Sequence, residues 1–235
     1  MRLHVLGCHG PYPPAGGCTS GYLLEEGDAR ILMDCGSGVL GQLTKKCDPA
    51  SLSAVLLSHL HFDHASDLTV LRYYLDIRGK TLPLYLPPED HSALRGILEE
   101  SAYQVIPYPE AFQIGPFSVT TLPVRHPFPC RAIRITNGDK TLVFTGDTND
   151  CPGLSEFAGD ADALLADAAF LQSEWTTEKP HMSARGAAEL ANAARAKALY
   201  LTHLPVGHDP ATIEKEARQV NAGAVAVCPG MVIGL

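Results

Sequence analysis

Apolar residues in this chain fall into short runs closed by Gly, Pro, Asp or Asn. Leu3–Cys8, Arg30–Met33, Ala54–Leu57, Leu82–Leu86, Ser118–Val124 and Ala163–Asp167 are too short for buried helices and read as strands. Thr19-Ser20-Gly21 opens a further strand through Leu24, and Ala198–Leu201, Ala224–Cys228 and Met231–Ile233 add strands near the end. Cys130–Thr136 and Lys140–Phe144 flank Asn137-Gly138, a strong hairpin signal. Tyr103 to Pro109 reads as extended, and Phe112 to Phe117 as a turn between strands.

A helical period separates these runs. Leu68, Leu71, Tyr74 and Leu75 share one face and predict a helix over His64 to Ile77. Leu94, Ile97 and Leu98 predict a buried face on a helix entered from Pro87-Pro88 and ending near Ser101. Ala187, Leu190, Ala191 and Ala194 predict a helix capped by Ser183. Ile213, Ala217 and Val220 predict the last, capped by Asp209 with Pro210 in its first turn. Val39, Leu40 and Leu43 start a short helix, and Pro152 to Ala158 forms another. Gln172 to Pro180 is a polar loop. No internal repeat or linker interrupts the pattern, so residues 1–235 read as one domain.

Composition bounds the partners. With 46% hydrophobic and 19% charged residues, the chain is of ordinary globular type, and no apolar run is long enough to span a bilayer. Met1 to Gly7 lacks the pattern of a signal peptide, which makes the cytoplasm the expected location. The formal net charge of −8 and the absence of any basic run argue against a long nucleic acid as partner. A small anionic substrate held by metals stays compatible with that charge. The seven cysteines (Cys8, Cys18, Cys35, Cys47, Cys130, Cys151 and Cys228) are odd in number and form no C-x-x-C, which argues against a disulfide framework or a Cys-type zinc site. Whether Cys8 and Cys18 meet across their turn is left open by the sequence.

The chemistry concentrates at Ser58-His59-Leu60-His61-Phe62-Asp63-His64, directly after the Ala54–Leu57 strand. Imidazole is a natural ligand of zinc and similar divalent ions, and carboxylates join it in hydrolytic sites. Three His and one Asp in the pattern H-x-H-x-D-H, where a strand breaks into a loop and helix, point to a metal site.

This motif resembles the signature of the metallo-β-lactamase superfamily. The resemblance implies an α/β fold, a four-layer αβ/βα sandwich of two mixed β-sheets flanked by helices, with a two-metal site at one edge of the sheets. Later strand ends extend it. His126 in Val124-Arg125-His126-Pro127 resembles the third histidine ligand, Asp147 in Thr145-Gly146-Asp147-Thr148 the bridging aspartate, and His203 the last ligand. By resemblance, His59, His61 and His126 hold one divalent ion, Asp63, His64 and His203 the other, and Asp147 bridges them. The donor set suits zinc, with manganese or nickel as alternatives. Asp34, ahead of the motif, reads either as a turn residue or as a group orienting a metal-bound imidazole. Asp167 in Asp167-Ala168-Ala169-Phe170 stands where relatives of ribonuclease Z commonly carry Glu, which leaves its role open.

The implied reaction is hydrolysis by a metal-bridging hydroxide, with Asp63 and His181 as the catalytic residues. His181-Met182-Ser183 resembles the His-x-Ser/Thr segment of the ribonuclease Z-like phosphodiesterase branch, where the histidine assists the leaving oxygen. Only twenty residues separate His126 from Asp147, too few for the long arm with which ribonuclease Z grips precursor tRNA. The expected substrate is therefore a small phosphodiester of the cyclic nucleotide or cyclic ribose phosphate type. The alternatives are a lactonase or β-lactamase-type carbonyl hydrolase, a tRNA 3'-processing endoribonuclease, and a non-catalytic metal-bound sensor. Resemblance also implies a homodimer.

Overall fold

Alternation along single strands decides how this protein layers. In the strand Ala29–Met33, Ile31 and Met33 face one core and Leu32 another. In Gly21–Glu26, Tyr22 and Leu24 join the first core and Leu23 the second. A strand buried on both faces needs a layer on each side.

The computed structural model describes all 235 residues. The first half comprises β1 (Arg2–Gly7), β2 (His9–Gly10), β3 (Gly21–Glu26), β4 (Ala29–Met33), α1 (Val39–Leu43), β5 (Ala54–Leu56), α2 (Phe62–Ala65), α3 (Leu68–Ile77), β6 (Leu82–Leu86), α4 (Ala93–Glu99) and β7 (Tyr103–Pro107). The second comprises β8 (Ala111–Ile114), β9 (Phe117–Pro123), β10 (Arg131–Thr136), β11 (Thr141–Phe144), α5 (Leu154–Phe157), β12 (Ala163–Asp167), α6 (Ala184–Ala193), β13 (Leu199–Thr202), β14 (Leu204–Pro205), α7 (Pro210–Arg218), β15 (Val225–Ala226) and β16 (Val232–Gly234).

Two seven-stranded sheets result, ordered β16-β1-β3-β4-β5-β6-β7 and β15-β13-β12-β11-β10-β9-β8. Each is mixed. Strands β4 through β7 run parallel in the first, and β11, β12, β13 and β15 in the second. One core of 42 buried residues joins the facing sheets and reaches α6 and α7 behind the second. The other, of 21, packs α1, α3 and α4 on the outer face of the first sheet. Helices, sheet, sheet, helices is the expected four-layer sandwich. Beneath its edge the Tyr22 hydroxyl of one sheet hydrogen-bonds the Thr202 hydroxyl of the other.

Three local expectations change. The helix expected over 64–77 is two, because the Asp67 N–H bonds the Cys35 carbonyl (3.0 Å) and the Asp67 carboxylate accepts the Leu40 N–H (2.9 Å). Pro87-Pro88 does not enter α4. A turn closed by Asp90 follows, and the Ser92 hydroxyl caps the helix on the Arg95 N–H. Leu94 and Leu98 face the sheet, while Ile97 is exposed. Residues 112–114, expected in a turn, belong to β8, which pairs with β9 around Gly115-Pro116. All seven cysteines are free, and no helix is long and apolar enough to cross a membrane.

Candidate metal centre

The carboxyl ends of the parallel strands in both sheets converge on one edge. Strand β4 leads into Asp34, β5 into Ser58–His64, β11 into Asp147, β12 ends on Asp167, and β13 leads into His203. Ligand sites in open α/β sheets form at such ends. His126 arrives differently, from a loop after β9. Its neighbour Arg125 pairs with Asn149, just beyond Asp147, through Asn149 N–H to Arg125 carbonyl at 3.1 Å.

Two groups of side chains meet there and share Asp147. In the first, His61 Nδ1 lies 2.9 Å from His59 Nε2 and 3.2 Å from His126 Nε2, and His59 Nε2 lies 3.6 Å from Asp147 Oδ2. In the second, His64 Nε2 and His203 Nε2 lie 3.1 and 3.2 Å from Asp147 Oδ2, and 3.6 and 3.3 Å from Asp63 Oδ2. All seven residues singled out as ligands are therefore brought together.

The arrangement fits divalent cations. Burial lowers the pKa of His59 and His61 and takes His126 down to about 4, so three neutral imidazoles turn lone pairs toward one point. A single ring proton could bridge only one of the two contacts at His61 Nδ1, whereas a cation among the three nitrogens would satisfy all of them. Burial opposes charge on His64 and His203 too, but the Asp147 carboxylate outweighs it, with Asp34 assisting at His64. Burial likewise works against charge on Asp147 and Asp63, yet the adjacent His203 and His64 hold both carboxyls below the usual range. The fully buried His64 Nε2 lies 3.1 Å from Asp147 Oδ2 yet makes no well-directed hydrogen bond to it, an arrangement that a bound ion between them would satisfy.

Outer contacts aim these groups. Asp34 is fully buried, and its carboxylate accepts from His64 Nδ1 (2.7 Å), the Ser58 N–H (2.7 Å) and the Ser58 hydroxyl (2.8 Å). That fixes the His64 tautomer and leaves Nε2 toward the centre. His126 Nδ1 lies 3.3 Å from the Pro180 carbonyl, leaving its Nε2 inward. Asp34 and His203 have left-handed backbone, φ 56° and 53°, a strain of the kind concentrated at functional sites. Gly36 has no room for a side chain. A Cβ there would overlap the Asp63 carbonyl and the Thr19 hydroxyl, so the turn after Asp34 seats the metal motif directly.

His181 joins the cluster. Its ring stacks on His203 (centroids 4.6 Å apart), and Nδ1 lies 2.7 Å from Asp167 Oδ2 and 3.9 Å from Asp147 Oδ2. Asp167, fully buried, also accepts the Thr148 and Ala169 N–H groups. The shorter carboxylate thus reaches the histidine. Three further contributors were not assigned from sequence: Ser58, Gly10, whose backbone lies against the His203 ring, and Trp175, whose indole N–H bonds the His181 carbonyl at 3.0 Å. Only Ser58, inside the motif, carried a local signal. The polar loop over 172–180 is tied to the centre through Asn149 to the Lys179 carbonyl (2.7 Å) and Arg125 to the Thr177 carbonyl (2.6 Å).

A family model described as a beta-lactamase superfamily domain matches residues 29–204, a span that holds every candidate ligand from His59 to His203. The chain belongs to the beta-lactamase superfamily. Within the superfamily it is similar to the probable metallo-hydrolase YhfI of Bacillus subtilis, at 35% identity over 97% of this chain and 96% of that protein. The crystal structure of YhfI superposes with a TM-score of 0.92 at 34% identity, covering 99% of this chain and 98% of that one. Ribonuclease Z of Haloferax volcanii is 24% identical over 97% of this chain and 92% of its own. Human tRNase Z, short form, shares the fold, with a TM-score of 0.82 at 20% identity over 100% and 99% of the two chains. These relationships mark a superfamily metallo-hydrolase related to ribonuclease Z.

Proposed function

We propose that the protein is a binuclear metal-dependent phosphodiesterase acting on a small phosphodiester of the cyclic nucleotide or cyclic ribose phosphate type. The observation that carries this reading is the Asp167–His181 pair beside Asp147. His59, His61 and His126 would hold one ion, Asp63, His64 and His203 the other, and Asp147 both. When bound, such ions supply Lewis-acid stabilisation of a phosphoryl group and an activated water at neutral pH.

The chain's own groups do the rest. Asp167 accepts the Nδ1 proton of His181, which leaves Nε2 on the opposite side of the ring for the substrate. A proton on Nε2 passes to the departing alkoxide, and neutral imidazole with its Nδ1–H on Asp167 remains. Phosphoester cleavage needs such help because an alkoxide leaves poorly. Asp63, held ionised beside His203, is the carboxylate placed to take a proton from the attacking water. Carbonyl hydrolysis has less use for a buried carboxylate behind His181.

The test is hydrolysis of bis(p-nitrophenyl) phosphate by zinc- or manganese-reconstituted protein, beside a lactone, in wild type and His181→Ala. Metal-dependent phosphodiester turnover that collapses in the variant is expected. Lactone turnover indifferent to His181, with no phosphodiester cleavage, would overturn the reading.

A further inference from the structure

A surface pocket opens near His181. It is a shallow, open pocket of about 370 Å³ lined by Phe170, Glu174, Lys179, Pro205 and His208 among others. The His181 ring is close to both the cluster and this pocket, 4.6 Å from the His203 ring and 6.1 Å from that of Phe170 (centroid distances). The walls come from segments that carry the centre itself: Phe170 follows Asp167, Lys179 precedes His181, and Pro205 follows His203.

The chemistry of the walls is mixed in a specific way. Phe170 offers a half-buried π face, now covered by the Lys179 ammonium at 4.9 Å from the ring centroid. No carboxylate pairs with Lys179, so its long stem is free to swing. Glu174, also in the lining, presents acceptor oxygens and is held by His208 Nε2 at 3.0 Å. A flat face with one donor and one acceptor at its edge matches a heterocyclic base. A second phosphate would meet the Glu174 charge, and a planar base covers the Phe170 face more fully than a puckered sugar ring would.

We propose that this pocket receives the base of a nucleoside phosphodiester, stacked on Phe170 with its edge between Lys179 and Glu174, while the phosphate lies at the metal centre. The inference rests on the phosphodiesterase reading for the reaction and narrows its substrate to those bearing a base. The ammonium leaves Phe170 as the base enters, exchanging one exposed cation–π contact for the stronger base–aromatic stack. Phe62 and Phe128 are the rival stacking surfaces. Phe62 is the exposed residue within the metal motif, and the Phe128 ring centroid lies 4.6 Å from that of His61.

Trp175, the only tryptophan, adjoins Glu174 and bonds the His181 carbonyl, so its fluorescence reports binding without turnover. Zinc-loaded protein is titrated with adenosine 5'-monophosphate and with ribose 5-phosphate. The nucleotide is expected to bind about tenfold tighter or better, as one base stack allows. Phe170→Ala should erase that advantage and leave ribose 5-phosphate unchanged. Phe170→Leu, which keeps the apolar bulk, should do the same, and Phe62→Ala should not. Equal binding of the two probes, an advantage surviving Phe170→Leu, or one lost instead in Phe62→Ala would each overturn the pocket. Turnover of bis(p-nitrophenyl) phosphate is measured alongside. Turnover without a base advantage overturns the pocket alone, whereas a Phe170-dependent advantage without turnover supports the pocket and overturns the phosphodiesterase reading.

Discussion

Asp167 Oδ2 and His181 Nδ1 stand 2.7 Å apart, although fourteen positions of chain separate the two residues. The carboxylate ends a buried strand and the imidazole sits in the loop before α6, so the fold alone makes the pair. Because Asp167 is fixed by the Thr148 and Ala169 amides, the imidazole has one orientation and one tautomer. His181→Ala is expected to lower kcat about 10²- to 10⁴-fold, the usual weight of a general acid. Asp167→Asn should lower kcat with little change in KM, and the double variant should be no worse than His181→Ala. Additive losses in steady-state kinetics would separate the two residues.

Asp34 gives a test of metal binding. Its carboxylate has three donors in a fully buried position, so Asp34→Ala strands the Ser58 amide and hydroxyl and releases the His64 ring. Metal affinity should fall roughly 10- to 100-fold, as for other groups that orient ligands. Each stranded buried group should also cost about 1–3 kcal/mol of stability. Competition with a chromophoric chelator and thermal melts of the metal-free protein read the two effects separately. Unchanged affinity in a folded variant would return Asp34 to a plain turn residue.

The readability of the sequence follows the range of each interaction. The H-x-H-x-D-H motif, Asp147 and His203 follow strands that hydrophobic runs mark locally, while the four-layer arrangement and the full ligand set came from the resemblance to the superfamily, and His126 stands in a loop three residues past β9 rather than at a strand end. Asp167 could not be assigned, because its partner arrives through a loop and a neighbouring strand. Gly10 read as a loop residue, since only the pairing of β2 with β14 lays it on His203. Ile97 was misplaced because a face inferred from three apolar residues ignores how α4 is rotated on its sheet. Pro87-Pro88 misled for a related reason: an Asx turn at Asp90 intervenes before the Ser92 cap.

Asp162 supplies a pH dependence. Lys197 (2.9 Å), the Thr141 N–H (2.9 Å) and Lys140 (3.2 Å) all donate to its carboxylate. The Lys197 hydrogen bond leads in drawing the pKa down to about 2, from an ordinary 3.8. A depressed folded-state pKa stabilises above the unfolded value and is lost as pH falls toward the folded one. Asp162→Asn should therefore destabilise the protein above about pH 4, with the difference from wild type shrinking toward pH 2. Urea melts across that range check it. A difference that stays constant with pH would mean that the carboxylate's charge is not what the two lysines and the amide recognise.

Gly10→Ala probes one half of the centre. A Cβ at Gly10 would overlap the His203 ring, and that ring is confined on its other sides by His64 at 5.5 Å and His181 at 4.6 Å between centroids. The imidazole cannot yield without leaving Asp63 and Asp147, so the strain should fall on the second group of ligands and not on His59, His61 and His126. Overpacking of this kind costs about 1–3 kcal/mol. The expected outcome is a folded protein that retains metal at the three-histidine group but loses it from the Asp63, His64 and His203 group. Elemental analysis after gel filtration, with circular dichroism as the check on folding, distinguishes this from global failure. Full metal content in the variant would show that the backbone of β2 moves aside, and that the close approach of Gly10 is incidental to holding His203.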